Sequence, residues 1–331
     1  MNFVTGGTGL VGMHLIAALL HRGEQVRMLV REGSDLDPLE RFLAHSKADR
    51  AKLETVTGDL ADVPSLEEGM AGCERVFHAA ALVSFHRKDK EKLFSVNTEG
   101  TANVVNVALS TDGLSEMVYI SSVAALGRNT DGTPVNEQTE WKDGPELTNY
   151  AKSKHMAERE VWRGREEGLR VFIVNPSIIL GIGDFRRSSA EIFRQVDKGM
   201  PFFPPGSNGF VAVQDVVAAC FHALESDMNG ERFLLSGEHL SYDELFHLVA
   251  ESIGAKAPDK AAPPWLMKLA RIGASLGELF TGKRAFITKE GVRNAQANYR
   301  YDASKIKGSG FTFTPIRQVI AETGSFYLAN K

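Results

Sequence analysis

Phe3-Val4-Thr5-Gly6-Gly7-Thr8-Gly9-Leu10-Val11-Gly12 is the stretch that decides the fold. Phe3-Val4 opens a short apolar strand, and Leu10 to Leu20 follows with apolar residues at helical spacing. Between them the glycines fall in a G-x-x-G-x-x-G pattern. Placed between a strand and a helix, that pattern suits a dinucleotide diphosphate. Gly6 permits a tight turn, Gly9 lets backbone approach an anion with no Cβ in the way, and Gly12 lets the helix lie close to the strand. Gly7, Thr8, Leu10 and Val11 complete the loop and the first helical turn, whose N–H groups face the anion. A glycine triplet alone reads equally well as a turn, so the flanking strand and helix carry the argument.

Downstream, short apolar runs keep alternating with helical patterns. Val26–Val30, Leu53–Val56, Arg75–His78 and Met117–Ile120 read as strands, and Lys88–Leu109 as a long helix. A helix from Tyr150 to Glu167 precedes a strand at Arg170–Val174. Such alternation implies an α/β fold with a doubly wound parallel sheet, helices covering both faces. After Pro176 glycine and proline become frequent, and helical stretches dominate from Gln214 onward. The expected division is a Rossmann domain over 1–176 and a smaller, mostly helical substrate lobe over 177–331. A return to the first domain is expected around 210–225, with Phe210–Val213 as a candidate segment.

Bulk composition narrows the function classes. The 331 residues include 38 Lys plus Arg against 42 Asp plus Glu, a formal charge of −4, with no long run of one sign. That offers no footprint for nucleic acid. Cys73 and Cys220 stand far apart, which is neither a disulfide framework nor a metal-binding spacing, and suits free thiols in a reducing cytoplasm. No basic region followed by an apolar stretch opens the chain, so no signal peptide is expected. Trp265 to Phe280 is the most apolar late segment, but Lys268, Arg271 and Glu278 interrupt it. It reads as an amphipathic lid helix rather than a membrane span, and no stable membrane insertion is expected.

The end of the second strand bears on the choice of cofactor. NAD sites usually offer an acid there for the ribose 2′-hydroxyl, and NADP sites an arginine for the 2′-phosphate. Here Val30 is followed by Arg31-Glu32-Gly33-Ser34, so a 2′-phosphate meets a guanidinium and a hydroxyl. NADP(H) is favoured on this ground. NAD(H) remains possible, with Arg31 a solvated side chain and Glu32 in the acidic role. After the third strand, Asp59-Leu60 offers a carboxylate to the adenine amino group or, equally, a helix cap. Ala79-Ala80-Ala81 ends the fourth strand with small residues, over which a cofactor can lie. His78 before them reads as a packed histidine, with no catalytic role.

Tyr150 and Lys154 stand at i and i+4 at the start of a helix, so they share a face. A free tyrosine, with a pKa of about 10, is a poor base at neutral pH. A neighbouring ammonium stabilises its phenolate and lowers that value. A Tyr–Lys pair at this spacing is common by chance on protein surfaces. This one is accompanied by Ser121-Ser122 at the C-terminal end of a strand, the edge where parallel sheets bind ligands.

In this order the residues resemble the extended branch of the short-chain dehydrogenase/reductase superfamily, which includes the NAD-dependent epimerases and dehydratases. The resemblance rests on the loop Thr5–Gly12, Asp59-Leu60, His78-Ala79-Ala80, Asn97, Ser121-Ser122, Tyr150 with Lys154, Asn175-Pro176-Ser177 and Phe210–Val217. It covers most of residues 1–220 and is loose beyond them. It implies that Tyr150 is the general acid/base, and that Lys154 lowers its pKa and holds the nicotinamide ribose. It further implies that Ser122, five residues before Gly127, binds the substrate oxygen. Asn97 would support a proton relay through water, its alternative being a polar residue at a helix kink. Pro176, Ser177 and Ile179 would flank the nicotinamide. A homodimer through the helices Lys88–Leu109 and Tyr150–Glu167 is a further implication.

Within the superfamily two reactions compete. One is reduction of a ketone or aldehyde to the alcohol, as in dihydroflavonol reductases; the other is nucleotide-sugar epimerisation or dehydration. Many sugar-nucleotide enzymes of the superfamily place an arginine just before the strand equivalent to Phe210–Val213, where this chain has Ser207-Asn208-Gly209. Arg186 and Arg187 are the candidates to replace it. Val123-Ala124-Ala125 after Ser122 offers no dehydratase-like acid pair. Leu82, Val83, Phe85, Phe202, Phe203, Trp265 and Phe280 are candidates to line an apolar pocket, or else are ordinary core. A third reading, a dinucleotide-binding regulator without catalysis, is disfavoured because both Tyr150 and Lys154 are present.

Overall fold

The computed structural model describes residues 1–129, 131–144, 147–263 and 289–331. Its strands are β1 (Asn2–Thr5), β2 (Val26–Val30), β3 (Leu53–Thr57), β4 (Arg75–His78), β5 (Glu116–Ile120), β6 (Arg170–Pro176), β7 (Ile178–Leu180), β8 (Phe202–Phe203), β9 (Ser207–Ala212), β10 (Glu231–Leu235), β11 (Glu238–Ser241) and β12 (Lys260–Ala261). The helices that matter for the site are α1 (Leu10–His21), α2 (Asp37–Ser46), α3 (Val63–Met70), α4 (Lys90–Phe94), α5 (Gly100–Ser110), α6 (Asn149–Glu166), α7 (Glu191–Asp197), α8 (Val213–Glu225) and α9 (Tyr242–Ile253). Ile316–Ala329 forms the C-terminal helix.

Seven parallel strands make the main sheet in the order β10-β6-β5-β4-β1-β2-β3. The chain runs outward from β1 through β2 to β3, crosses back to β4, and then runs outward the other way. The crevice between β1 and β4 is therefore the topological switch point, where open α/β sheets take their ligands. Side chains alternate across the pleat. Val4, Phe77, Val118 and Phe172 join the core beneath α1 and α8. Phe3, Val76, Met117 and Val171 join the core beneath α3, α5 and α6. Each fully buried Phe or Leu contributes about 1.5–3 kcal/mol, which anchors both helical layers.

Within the return expected around 210–225, α8 packs against the main sheet, but the candidate strand does not join it. Phe210–Ala212 stays out of the main sheet: β9 lies between β11 and β7 in a separate three-stranded sheet. The segment that rejoins is α8 with β10, and β10 becomes the seventh strand beside β6. Apolarity alone does not separate these two short runs, because both are buried, each in a different sheet. The second lobe thus contains sheet as well as helix, around a core that includes Phe193, Phe210, Leu245, Phe246, Ile316 and Ile320. Trp265 to Phe280 lies outside the described residues. Among those described, no helix is long and apolar enough to cross a membrane.

Candidate active site

The glycine loop is shaped by close approach of backbone to backbone. Gly6 has φ +73°, and a Cβ there would lie 2.5 Å from Ala80 N. A Cβ on Gly12 would lie 2.1 Å from Gly6 O, and one on Gly7 would run into the Met28 side chain. Both β1–β4 contact and helix–loop contact thus require glycine. Gly9 is the N-cap of α1, and no side chain caps the helix. The first N–H groups of α1, at Leu10 to Gly12, have no partner within the helix and face outward. A Cβ on Gly9 would approach only Gly6 O, at 3.2 Å. α1 itself is buried on most sides, through Met13, Leu15, Ile16, Leu19 and Leu20, so packing rather than capping holds it.

Around the loop, the other expected cofactor residues fall on one edge of the sheet. Arg31, just past β2, is exposed and makes no hydrogen bond or ion pair among the described residues; Ser34 N–H closes a turn onto its carbonyl at 3.1 Å. Asp59 is exposed and its carboxylate accepts from Ala61 N–H at 3.0 Å, and the N-cap of α3 is Asp62, so Asp59 is not the cap. Leu60 is buried against Gly100. Ala79 and Ala80 are half-buried beside Gly6, and Ala81 is exposed. At the end of β6, Asn175 Oδ1 and Ser177 Oγ are buried without a hydrogen-bond partner among the described residues. Pro176 is buried and Ile179 half-buried.

Tyr150 is positioned by the start of α6. Thr148 caps the helix, its hydroxyl accepting from Ala151 N–H at 3.0 Å, which fixes Tyr150 at the second helical residue. α6 is held against the segment after β5 by His155, whose ring stacks on Trp141 at 3.9 Å and bonds Ala125 O at 3.1 Å. The Tyr150 phenol is thereby brought beside Ser122. Phe85 meets the Tyr150 ring edge-on, with centroids 6.0 Å apart. Ser121 is turned the other way, buried and donating to Glu158 Oε2 at 2.6 Å.

Lys154 lies one turn deeper and is almost completely buried. Its ammonium donates to Tyr119 Oη at 2.6 Å and to Ile120 O at 3.0 Å. Burial lowers its pKa to about 7, against the opposing pull of the Glu158 carboxylate. The expectation that this ammonium lowers the Tyr150 pKa is not what the arrangement gives. Burial pushes the phenol up, and the nearby Ser122 only partly offsets this. The physical reason is that Lys154 is committed to Tyr119 and Ile120 rather than to Tyr150.

Three side chains that support the site carry no role in the sequence reading. Tyr119 is fully buried and stacks on His78 with centroids 5.5 Å apart. His78 accepts from Thr5 Oγ1 at 2.6 Å and donates through Nε2 to Thr101 Oγ1 at 3.0 Å, since that hydroxyl donates to Asn97 O. Burial lowers the His78 pKa to about 3, so the ring is neutral, in keeping with its reading as a packed histidine. Glu158, two turns after Tyr150, also accepts from Asn175 Nδ2 at 2.8 Å and pairs with Arg232 at 2.9 Å. The signal for Glu158 was the four-residue spacing Tyr150, Lys154, Glu158; that for Tyr119 was its place two residues before Ser121 on one face of β5.

Asn97 sits in a π-helical turn, Ser95–Glu99, between α4 and α5. Its amide donates to Leu82 O and to Ser153 Oγ, each at 2.9 Å, and accepts from Leu82 N–H at 2.7 Å. Both amide hydrogens are therefore used in tying the β4–α4 segment to α6. Arg187 reaches the glycine loop, donating to Thr8 O at 2.8 Å, while Arg186 pairs with Asp35 at 2.7 Å. No group of three or more potential metal ligands occurs among the described residues.

With this geometry, the model of the NAD-dependent epimerase/dehydratase family matches residues 2–236. The chain belongs to that family. Its relatives include proteins named as reductases. Sterol demethylase protein B of Methylococcus capsulatus is 36% identical over 271 residues, 81% of this chain and 79% of that protein. A Synechocystis protein described as a candidate dihydroflavonol 4-reductase is 32% identical over 329 residues, 97% of this chain and 92% of that one. The crystal structure of gox2253 superposes with a TM-score of 0.80 at 31% identity, covering 100% of this chain and 98% of that one. As a family member of the dihydroflavonol reductase-like branch, the chain is an NAD(P)-dependent oxidoreductase of the extended short-chain dehydrogenase/reductase type.

Proposed function

We propose that this family member reduces a ketone or aldehyde to the alcohol with NADP(H), with Tyr150 as the proton donor. The observation that carries the reading is the placement of the Tyr150 phenol beside Ser122, at the same sheet edge as the glycine loop. When bound there, the dinucleotide supplies the hydride. Ser122 donates a hydrogen bond to the carbonyl oxygen and polarises it. Tyr150 gives its proton to that oxygen as the carbon is reduced, and solvent restores the phenol. A phenol whose pKa is raised is fully protonated at neutral pH, which suits a donor in the direction of reduction. Lys154, charged below about pH 7, lies one helical turn from Tyr150, where it would hold the nicotinamide ribose. Asn97 serves as a brace for Leu82 and Ser153.

NADP(H) is supported by the unpartnered Arg31 at the end of β2 and by Ser34 beside it. The glycine cradle, with no room for a Cβ at Gly6 or Gly12, suits the diphosphate, and the unpartnered Ser177 Oγ suits a carboxamide. A net reduction is favoured over sugar-nucleotide chemistry by the placement of Arg186 and Arg187. Arg187 is engaged at the glycine loop and Arg186 with Asp35 and Asp184, so neither replaces the diphosphate-gripping arginine whose place Ser207-Asn208-Gly209 takes.

The test is NADPH oxidation against a panel of ketones and aldehydes that includes dihydroflavonols and sterol ketones, after the names of the relatives. Loss of turnover in Tyr150→Phe is the expected result. Epimerisation of UDP- or GDP-sugars without net NADPH consumption would replace this reading by the other. A lower Kd for NADH than for NADPH would reverse the cofactor assignment.

A further inference from the structure

The loop from Thr5 to Gly12 contains no lysine or arginine. A dinucleotide diphosphate seated on it would have only N–H groups and the partial charge of the α1 N-terminus to face, roughly half an elementary charge. A guanidinium is nevertheless delivered there by the segment after β7. Arg187 Nη2 donates to Thr8 O at 2.8 Å, one residue before the N-cap of α1. Arg187 Nε is held by Asp184 Oδ2 at 3.1 Å, and Nη1 makes no hydrogen bond among the described residues. The guanidinium is half-exposed.

The segment that carries it is fastened to the Rossmann domain at several points. His14 Nε2 donates to Ile182 O at 2.8 Å, and Gly183 packs on Leu10, where a Cβ would lie 2.9 Å from Leu10 Cδ1. Arg186 reaches Asp35. Asp184 bonds both arginines, and Ser188 next in the chain takes the left-handed conformation, φ 59°, which turns the backbone directly after Arg187. Exposed ion pairs of this kind add little to stability, so fastening alone does not account for the arrangement.

We propose that Arg187 is a ligand of the cofactor's diphosphate, contributed across the crevice by the second lobe. The proposal rests on the dinucleotide reading of the site. Thr8 O and Asp184 hold the guanidinium plane, and Nη1 is the donor left for a phosphate oxygen. Arg186, neutralised by two carboxylates, takes no part in this.

The experiment measures dissociation constants of the wild-type chain, Arg187→Ala and Arg187→Lys for NADPH, NADH and ADP-ribose, and for 2′-AMP, which lacks the diphosphate. Nucleotide fluorescence and competition provide the readout. Arg187→Ala should weaken the three diphosphate ligands alike, by about tenfold. It should leave 2′-AMP within about twofold, and Arg187→Lys should recover part of the loss. Unchanged dinucleotide binding in Arg187→Ala overturns the proposal. So does a loss confined to NADPH, which would put Arg187 on the 2′-phosphate, and so does an equal loss of 2′-AMP, which would mean a collapsed crevice. A wild-type chain that binds neither dinucleotide removes the cofactor reading itself, and is recognised before any substitution is made.

Discussion

Around the β1–α1 turn the crevice is made of backbone, whereas two strands away, between β5 and α6, it is made of side chains. At Gly6 and Gly12 the working feature is the absence of a Cβ, and the groups offered are N–H donors fixed by the helix. At Tyr150, Lys154 and Glu158 the working features are three polar groups on one helical stripe, each given a different partner by the strand behind it. Tyr150 has Ser122, Lys154 has Tyr119 and Ile120 O, and Glu158 has Ser121, Asn175 and Arg232. On the proposed function Tyr150 is the reacting group, with the buried charges of Lys154 and Glu158 farther along the same helix. A backbone cradle binds and tolerates no addition; a side-chain stripe separates chemistry from support along one helix.

Substitutions can break this contrast. The largest effect is expected for Tyr150→Phe. Losing the general acid should lower carbonyl reduction by about a thousandfold, while NADPH binding measured by fluorescence changes by no more than about threefold. A matching collapse of binding would show that the phenol is part of the cradle instead. Next comes Glu158→Gln. Removing one partner of a buried pair should cost about 3 kcal/mol in chemical denaturation, the low end of the range because Arg232 remains 23% exposed. A stable Gln variant would deny the carboxylate its supporting role.

Gly12→Ala sharpens the other side. Its Cβ meets a backbone oxygen that cannot rotate away, and about 2 kcal/mol of stability should be lost together with nucleotide affinity. Tyr119→Phe should have the smallest effect, a fall of a few-fold in kcat with little change in Tm, because packing is kept and one hydrogen bond is lost. Its informative readout is the pH profile. In the wild-type chain the reduction rate should decline as pH rises through about 7, where Lys154 loses its proton. Losing the phenolic acceptor favours the neutral amine, so in Tyr119→Phe that decline should move to lower pH. A profile that stays in place would separate Lys154 from the rate.

Much of this was legible in the sequence. Strands at Val26–Val30 and Arg75–His78 coincide with the expected runs, because a buried parallel strand is a short apolar block between turn residues. The glycine pattern and the Tyr150–Lys154 spacing mark one sheet edge without any coordinates. What was not legible depends on contacts far apart in the chain. The long helix expected over Lys88–Leu109 is interrupted by a π turn at Asn97, which no periodicity announces. The lysine's partner turned out to be Tyr119, thirty-five residues before it in sequence. Arg187, at a separation of 179 residues from Thr8, was weighed as a substrate ligand and lies at the cofactor loop.

The sequence by itself determined the alternation of strand and helix, the loop with no room for side chains, and the order of Ser122, Tyr150 and Lys154 along the chain. These are properties of local conformation and of spacing along one element, and a chain carries them before it folds. Only the tertiary structure decided which strand closes the sheet, which group each charge on α6 faces, and which arginine reaches the loop. Burial and partner choice set those outcomes, and both depend on residues brought together from distant parts of the chain.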